Sequence, residues 1–306
     1  MNRNLILGTR GSALALAQTQ IVRALIHRAY PSLTIEIKII KTSGDKKTRA
    51  PLAQSGIKGL FTKELEQALL LKKIDLAIHS LKDLPTGIPG GLKLAAVTER
   101  EDPKDVLICH PLTKMELPKV IYTSSPRRAV QAKLLWLECQ IKDTRGNVET
   151  RLSKLSEGNA GDALLLAAAG LKRLDFLRGD ASEGNLHGEP ALPYRKLSIQ
   201  EMIPSPGQAA IGIEVRSEDG ETQERLKSIN HLPSLAAVTA ERAFLDTVGG
   251  GCAAPIAAHA TVGIDGLHLV AMVAHDSNRI WRGEKDGPRR DAENIGKILA
   301  EESRRA

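Results

Sequence analysis

The feature that most constrains the fold is a repeated change from strand-like to helix-like sequence. Short apolar runs such as "LILGT" (5–9) and "DLAIHS" (75–80) alternate with amphipathic stretches such as "SALALAQTQIVRALIHRA" (12–29). This alternation is typical of sheets that are covered by helices on their faces. It continues as far as "QAAIGIEVR" (208–216), so we expect α/β layers with mostly parallel sheets over this part of the chain.

The pattern changes after Asn230. A helical stretch (234–248) is followed by three strand-like runs with no helix between them, and a last helix is expected near 291–304. Successive strands of this kind pair as antiparallel neighbours. This part predicts an α+β unit with a three-stranded antiparallel sheet. Two polar segments, "TEREDPKD" (98–105) and the Gly/Pro-rich stretch 178–196, are candidate domain boundaries.

Composition limits the classes of function. The chain is 42% hydrophobic and 26% charged, which is typical of globular proteins, and its longest apolar run, 163–171, is too short to span a bilayer. No signal-peptide pattern is present, and the three cysteines show no spacing of a zinc site or a disulfide framework. We therefore expect a cytoplasmic protein without a metal or a membrane partner. Walker, GxGxxG and HExxH motifs are absent, which disfavours kinases, dehydrogenases and zinc hydrolases.

The net charge of +7 favours an acidic partner. Aromatic residues make up only 3% of the chain, too few for base-stacking surfaces, so we do not expect nucleic acid to be that partner.

Arginines stand at three expected junctions between a strand and a helix, "GTRGSALA" (8–15), "TSSPRRAV" (123–130) and "DTRGNVETR" (143–151). Ser12, Ser125 and Asn147 are expected N-caps there. A cation in the first helical turn opposes the helix dipole, which makes sense if carboxylates or phosphates bind at these ends. The alternative is that these arginines form surface salt bridges.

Three further segments have both an ordinary and a functional interpretation. "HSLKDLP" (79–85) is either a polar turn or a site for a catalytic carboxylate, with His79 as a structural strand residue. "SGIKGLFTKEL" (55–65) is either a simple connection or a lid over a cleft. Cys252 follows three glycines, and its thiol is a structural group, a nucleophile or a covalent anchor.

Several segments together resemble the porphobilinogen deaminases, also called hydroxymethylbilane synthases. They are "GTRGSALALAQ", "KTSGD", "GLFTKELE", "DLAIHSLKDLP", "TSSPRR", "RGNVETRLSKL", "AAAGLKRL" and "GGGCAAPIAAHA", in this order through most of the chain. The resemblance implies a transferase of tetrapyrrole (heme) biosynthesis that condenses four porphobilinogen molecules head to tail. Each addition releases ammonia, and hydrolysis then frees hydroxymethylbilane.

The resemblance also implies a dipyrromethane cofactor, attached covalently to Cys252 through a thioether. It implies a monomer of three domains: 1–99 with 200–217, then 100–199, and finally 218–306. The first two would be like type II periplasmic binding proteins, with two crossing segments, and the third would carry the cysteine.

The site residues implied by the resemblance fall into three groups. Asp83 would be catalytic, assisting the loss of ammonia and stabilising the cations formed. The cofactor would be bound by Lys82, Asp83, Ser125, Arg127, Arg128, Arg145 and Gln208. The substrate and growing chain would be bound by Arg10, Ser12, Arg145 and Arg151 and by the lid residues Lys58 and Phe61.

The chain departs from the family pattern at Ala209 and Ala253, which stand where glycine and glutamine are common, and in a long connection at 178–203. A catalytically silent two-lobed binding protein would share the α/β halves and the arginines, but it would give Cys252 no role. A covalent adduct on this cysteine discriminates between the two hypotheses.

Overall fold

The computed structural model describes residues 4–42, 62–188, 191–249, 254–275 and 279–305. These residues form three sheets, two of them mixed and one antiparallel. Within the described ranges no helix combines the length and apolar character that crossing a membrane requires.

The first sheet has the strand order β2-β1-β3-β11-β4. Its strands are β1 (Leu5–Thr9), β2 (Ile35–Ile39), β3 (Leu76–Ser80), β4 (Leu92–Val97) and β11 (Ile211–Arg216). Among the described residues, the helices α1 (Ala13–Ala29) and α2 (Lys63–Leu70) accompany it. Leu7, Ile78 and Ile213 on the strands pack with Val22 and Ile26 of α1, as the alternating sequence predicts.

The second sheet has the order β7-β6-β8-β5-β10-β9. Its strands are β5 (Asp105–Cys109), β6 (Val120–Tyr122), β7 (Gln140–Lys142), β8 (Asp162–Ala167), β9 (Glu183–Asn185) and β10 (Pro193–Lys196). Its helices are α3 (Pro126–Leu135), α4 (Val148–Ser156) and α5 (Ala168–Arg173). Helices α3 and α4 pack into separate cores with the strands: Ala132 lies in one of them and Leu152 in the other.

The expectation of mostly parallel sheets is wrong. Strands that a helix connects inside one sheet do run parallel, as β1 with β2 and β6 with β8 do. However, β11 is antiparallel to both β3 and β4, and β5 is antiparallel to β8. The chain crosses between the two sheets twice, first between β4 and β5 and again between β10 and β11. The directions of β5 and β11 are therefore set by these two crossing segments and not by a helix packed on one face. Two crossing segments are what the resemblance to type II periplasmic binding proteins implies.

The segment 178–196 is more than a boundary loop. Strands β9 and β10 form a hairpin in it, and β10 pairs with β5 through Tyr194 and Ile108. The sequence "EGN" of β9 has little strand propensity of its own. The strand β9 therefore forms because its backbone pairs with β10, which its own side chains do not predict.

The third unit contains the predicted three-stranded antiparallel sheet, which is therefore confirmed. Its strands are β12 (Ile256–Val262), β13 (Leu267–Ala274) and β14 (Ile280–Gly287), and helices α7 (Leu232–Val248) and α8 (Ala292–Arg305) cover one face. Phe244 of α7 lies in the core with Leu269 and Leu299. Its ring stacks on Trp281 with 6.3 Å between centroids.

The short helix α6 (Gly220–Leu226) belongs by its packing to the first unit. Leu226 is fully buried in the first core, and Ile229 packs against the same cluster. The division into 1–99 with 200–217, 100–199 and 218–306 stays a proposal, and this packing favours moving its last boundary to about residue 230.

Ala209 carries a strained backbone. Its φ is +71°, in the left-handed region that costs a non-glycine residue about 1–2 kcal/mol, and it is buried. We expect Ala209→Gly to raise the free energy of unfolding by up to about 1 kcal/mol, because the greater freedom of glycine in the unfolded chain offsets part of the relief. Urea unfolding measures the change.

The neighbouring substitution Ala210→Gly is the matched control. Ala210 is equally buried but has no positive φ, so glycine there should destabilise the protein by about 0.5–1 kcal/mol or more. Equal destabilisation by both variants would contradict the assignment of strain to Ala209.

Candidate active site

The three helices with arginines near their N-termini begin where the sequence predicts. The Ser12 hydroxyl accepts a hydrogen bond from the Ala15 amide at 3.3 Å, and Asn147 Oδ1 accepts one from Thr150 at 2.8 Å. Ser125 Oγ accepts from the Arg128 amide at 3.4 Å. The three N-caps are therefore confirmed, and the arginines lie beside the carboxyl ends of β1, β6 and β7.

Arg127 and Arg128 share one buried carboxylate, that of Asp105. Arg127 Nη1 lies 2.7 Å from Asp105 Oδ2, and Arg128 Nη2 lies 2.7 Å from Oδ1. Burial acts to raise the pKa of Asp105, but the two guanidinium groups outweigh it and hold that pKa well below its ordinary value. Both arginines are buried, so the alternative of surface salt bridges is wrong for this junction.

Gln208 connects this ion cluster to Lys82. Its Nε2 donates to Asp105 Oδ1 at 3.0 Å and to the Pro103 carbonyl at 2.7 Å, while its Oε1 accepts from Lys82 Nζ at 3.4 Å. Burial, followed by the charge of Arg128, lowers the pKa of Lys82 to about 8. The ammonium group is thus placed where an arriving anion would stabilise its charge.

Gly207 allows this close approach. Its φ is +72°, and a Cβ there would come within 3.2 Å of the backbone of Leu81 and Lys82. The turn that carries Gln208 therefore lies directly against the turn that carries Lys82 and Asp83.

Asp83 ends a short 3-10 turn, Leu81–Asp83, that follows β3. Its side chain is exposed, while Leu81 and Leu84 on either side are buried and fix the turn. Asp83 lines a cavity of about 70 Å³ together with Arg10 and Ser12 from the first junction. One carboxylate therefore stands open to the solvent among cationic and hydroxyl groups.

His79 and Gln18 also line this cavity but have partners of their own. His79 Nε2 lies 3.1 Å from a carboxylate oxygen of buried Glu214, and Gln18 exchanges hydrogen bonds with Ser80. This agrees with the prediction that His79 is a structural strand residue.

Arg145 and Arg151 line a separate and larger pocket of about 420 Å³. Arg145 Nε donates to Asp143 at 3.0 Å near the surface, so a surface ion pair is present at this junction. Arg151 Nε donates to the Gly146 carbonyl at 2.9 Å. Burial, followed by the charge of Arg128, lowers the pKa of Arg151.

Three expected site residues, Cys252, Lys58 and Phe61, lie outside the described residues, as does Ala253. The elements that flank Cys252 are described: α7 ends at Val248, and β12 begins at Ile256.

Comparison with known proteins identifies the family. A family model described as "Porphobilinogen deaminase, dipyromethane cofactor binding domain" matches residues 5–224, and "Porphobilinogen deaminase, C-terminal domain" matches residues 235–304. The chain belongs to the porphobilinogen deaminase family.

Curated porphobilinogen deaminases match over nearly their full length. The protein of Syntrophobacter fumaroxidans is 41% identical, with 98% of this chain and 94% of that protein covered. That of Desulforudis audaxviator is 44% identical with the same coverage. Among solved structures, full-length BenM is a distant match at 17% identity and a TM-score of 0.42, covering 74% of this chain and 66% of that one.

The site of this porphobilinogen deaminase family member suits the polycarboxylate cofactor named for its matched domain. In the Asp105 cluster, the cations Arg127 and Arg128, with Lys82 connected through Gln208, outnumber the single buried carboxylate. Nε of buried Arg127 has no hydrogen-bond partner. Within the described ranges, no cluster of His, Cys, Asp and Glu side chains is arranged to bind a metal ion.

Sequence reasoning missed two carboxylates that organise the site. Asp105 opens the fully buried strand "DVLIC", and an acid in such a position is a usable signal for a buried ion pair. The other is Glu241 in the middle of α7, which binds Arg100 at 2.5 Å and accepts from the amides of Gly207 and Ala260. Nothing in its local sequence separates it from an ordinary helix surface residue.

Glu241 predicts a loss of stability in acid. Burial acts to raise its pKa, but Arg100 and His259 lower it to about 2, from 4.5 when unfolded. Its contribution, on the order of 3 kcal/mol, is complete above pH 4.5 and is lost as pH falls towards 2. Urea unfolding of the wild-type protein at pH 7 and at pH 3 measures this loss.

Glu241→Gln should lose about 3–5 kcal/mol at pH 7, because the charge of Arg100 stays buried without its partner. Its decline in stability from pH 7 to 3 should be smaller than that of the wild type. Glu293→Gln is the control, since Glu293 only pairs with Lys297 at the surface and should change stability by less than about 1 kcal/mol. An unchanged acid response in Glu241→Gln would assign the pH effect to other groups.

Proposed function

We propose that this chain carries out the reaction of its family with Asp83 as the catalytic carboxylate and with dipyrromethane held on Cys252. The reaction is the head-to-tail condensation of four porphobilinogen molecules with release of ammonia, followed by hydrolysis to hydroxymethylbilane. The observation that carries the proposal is the exposed carboxylate of Asp83. It lines a cavity with Arg10 and Ser12, and it is next to Lys82, which Gln208 connects to the Asp105 cluster.

The cationic groups bind the acetate and propionate arms of the pyrroles. A guanidinium group binds a carboxylate through two parallel hydrogen bonds, and a lysine with a lowered pKa gains charge when an anion arrives. For the cofactor these groups are Lys82, Ser125, Arg127, Arg128, Arg145 and Gln208. For the substrate they are Arg10, Ser12, Arg145 and Arg151, with Lys58 and Phe61 as lid residues.

Asp83 acts on the reacting end of the substrate. Repulsion from the substrate's carboxylates means that Asp83 gives no benefit in binding alone. Its negative charge stabilises the positive charge that develops at the substrate carbon as ammonia leaves, and its oxygen can accept the proton of the pyrrole after the new bond forms. The amide of Leu81 donates a hydrogen bond to the carbonyl oxygen of Ala210, which fixes the turn.

When bound, dipyrromethane supplies the free pyrrole carbon to which the first substrate is added. The state of the other two cysteines supports Cys252 as its anchor. Cys109 and Cys139 are buried, and burial raises the pKa of the Cys109 thiol to about 12 and raises that of Cys139 as well. Thiols of this kind are poor nucleophiles.

We further propose that the protein is a cytoplasmic monomer whose partner is porphobilinogen, without nucleic acid or membrane partners. The scarcity of aromatic residues argues against nucleic acid, and the absence of zinc or disulfide spacing among the three cysteines supports the cytoplasm. The monomer is what the family resemblance implies.

Intact mass spectrometry tests the covalent cofactor. The purified protein should carry an adduct of two linked pyrrole units, and peptide mapping should place it on the peptide around Cys252. Cys252→Ser should lack the adduct, whereas Cys139→Ser should keep it. An active protein with unmodified Cys252 would refute the assignment and favour a different anchor.

Asp83→Asn tests the catalytic carboxylate, because asparagine keeps the shape and removes the charge. The variant should fold and carry the cofactor, yet lose about 10²–10⁴-fold in single-turnover ammonia release. Asp83→Glu keeps the charge and should retain more activity. Release at the wild-type rate by Asp83→Asn would reduce Asp83 to a turn residue.

A further inference from the structure

The turn that carries Asp83 is anchored on both sides of this residue. On the side before it, the amide of Leu81 donates to the Ala210 carbonyl of the second crossing segment at 3.0 Å. On the side after it, a guanidinium group of the third unit binds the backbone. The Asp83 side chain itself is exposed, so its place in the cavity depends on where these two anchors hold the chain.

Arg242 of α7 makes the second of these anchors. Its Nη1 donates to the Leu84 carbonyl at 2.9 Å, and its Nη2 donates to the carbonyls of Pro85 at 2.7 Å and Thr86 at 3.3 Å. A guanidinium group offers several N–H donors in one fixed plane, so a single side chain can hold successive carbonyls in one arrangement. The backbone directly after Asp83 is therefore bound to α7.

A second contact strengthens the attachment one helical turn further along α7. Asp246 Oδ1 accepts a hydrogen bond from Thr86 Oγ1 at 2.7 Å. Arg242 and Asp246 are four residues apart in α7, so both lie on the same face of the helix. This face binds the segment 84–86, whereas Glu241 binds the two crossing segments. Contacts from two residues of one helix face define the position of the segment 84–86 better than one hydrogen bond would.

Helix α7 also leads towards the proposed cofactor anchor. It ends at Val248, and Cys252 follows in the sequence. One helix is therefore continuous with the segment that carries the proposed anchor and is bound to the turn that carries the proposed catalytic carboxylate. Such an arrangement is suited to keeping two reacting groups in a fixed relative position, which matters because small displacements of catalytic groups cost much of the rate.

We propose that Arg242 is a positioning residue for the reaction, which acts through Asp83 by fixing the segment 84–86 against α7. The inference rests on the proposed function, because it needs Asp83 as the catalytic carboxylate. The alternative is that Arg242 only attaches the third unit to the first, so that its loss would weaken the fold without a specific effect on Asp83. The two roles are separable, because a positioning effect exists only while there is a catalytic charge to position.

Arg242→Met is the direct test, because methionine keeps an unbranched aliphatic side chain and removes all the N–H donors. The variant should still carry the dipyrromethane adduct in intact mass spectrometry. Its single-turnover ammonia release at saturating porphobilinogen should be about 10–100-fold slower, the size of effect expected when a catalytic group is displaced by roughly 1 Å, while the KM for porphobilinogen should not change. Arg242→Lys keeps three donors without the planar fork and should recover part of the rate.

The deciding measurement is the same substitution in the Asp83→Asn background. There Arg242→Met should slow the residual ammonia release by less than about twofold, because asparagine has no charge for the arginine to position. Arg225→Met is the control for the loss of one arginine. Arg225 pairs with Glu221 within α6, and its substitution should leave the rate of the wild type unchanged. Thermal unfolding measures the stability of every variant.

Equal slowing by Arg242→Met in the wild-type and Asp83→Asn backgrounds would overturn the proposal, since it indicates a general structural effect. A wild-type rate in Arg242→Met, with or without a raised KM, would overturn it as well, and so would a folded Arg242→Met that lacks the adduct. If Arg242→Met does not fold, the same pair of measurements on Arg242→Lys decides in the same way. Release at the wild-type rate by Asp83→Asn would instead overturn the proposed function, and the positioning role with it.

Discussion

The buried carboxylate of Glu241 holds the three units of the molecule together. It projects from α7 of the third unit, and it binds Arg100 in the first crossing segment and the Gly207 amide in the second. It also accepts from the Ala260 amide of β12, the first strand after Cys252. The Glu241 carboxylate thus binds both of the crossing segments that connect the lobes. It also joins α7 to β12, the two elements that flank the segment with Cys252. Removing it would leave the largely buried guanidinium group of Arg100 without a counterion, which is why this one interaction matters more than surface ion pairs do.

The same network continues into the active site. Arg100 Nε donates to the Gln208 carbonyl at 2.9 Å, and the side chain of Gln208 binds Asp105 and Lys82. Helix α7 contributes a second contact, because Arg242 donates to the carbonyls of Leu84 and Pro85 next to Asp83. The unit that carries Cys252 therefore positions the turn that carries Asp83. A displacement of α7 would disturb the turn that carries Asp83 and the crossing segments together, so the position of this turn and the geometry of the two lobes are linked.

Local sequence signals account for the parts of this structure that depend on near neighbours. The N-caps at Ser12, Ser125 and Asn147 were predictable because a cap needs only the amides two or three residues ahead. The direction of β11 was not, since it depends on a return from the other lobe. Asp105 and Glu241 were missed for a related reason: their partners stand 23 and 141 residues away in sequence. The strain at Ala209 likewise arises from a turn whose shape is fixed by contacts with a distant segment.

The surplus of positive charge has a consequence for folding as well as for binding. Asp105 pairs with both Arg127 and Arg128, yet burial lowers the pKa of Arg127, as it lowers those of Lys82 and Arg151, which means that their charged forms are held at a cost. Carboxylates that enter the cleft reverse this effect, because each one supplies a counterion where the protein has too few. A covalently held polycarboxylate cannot diffuse away, so its compensation is permanent and independent of concentration. The dipyrromethane cofactor would then act as a structural counterion of this cleft in addition to its role as primer, and the cationic site would reach its most stable form only after the cofactor has been assembled.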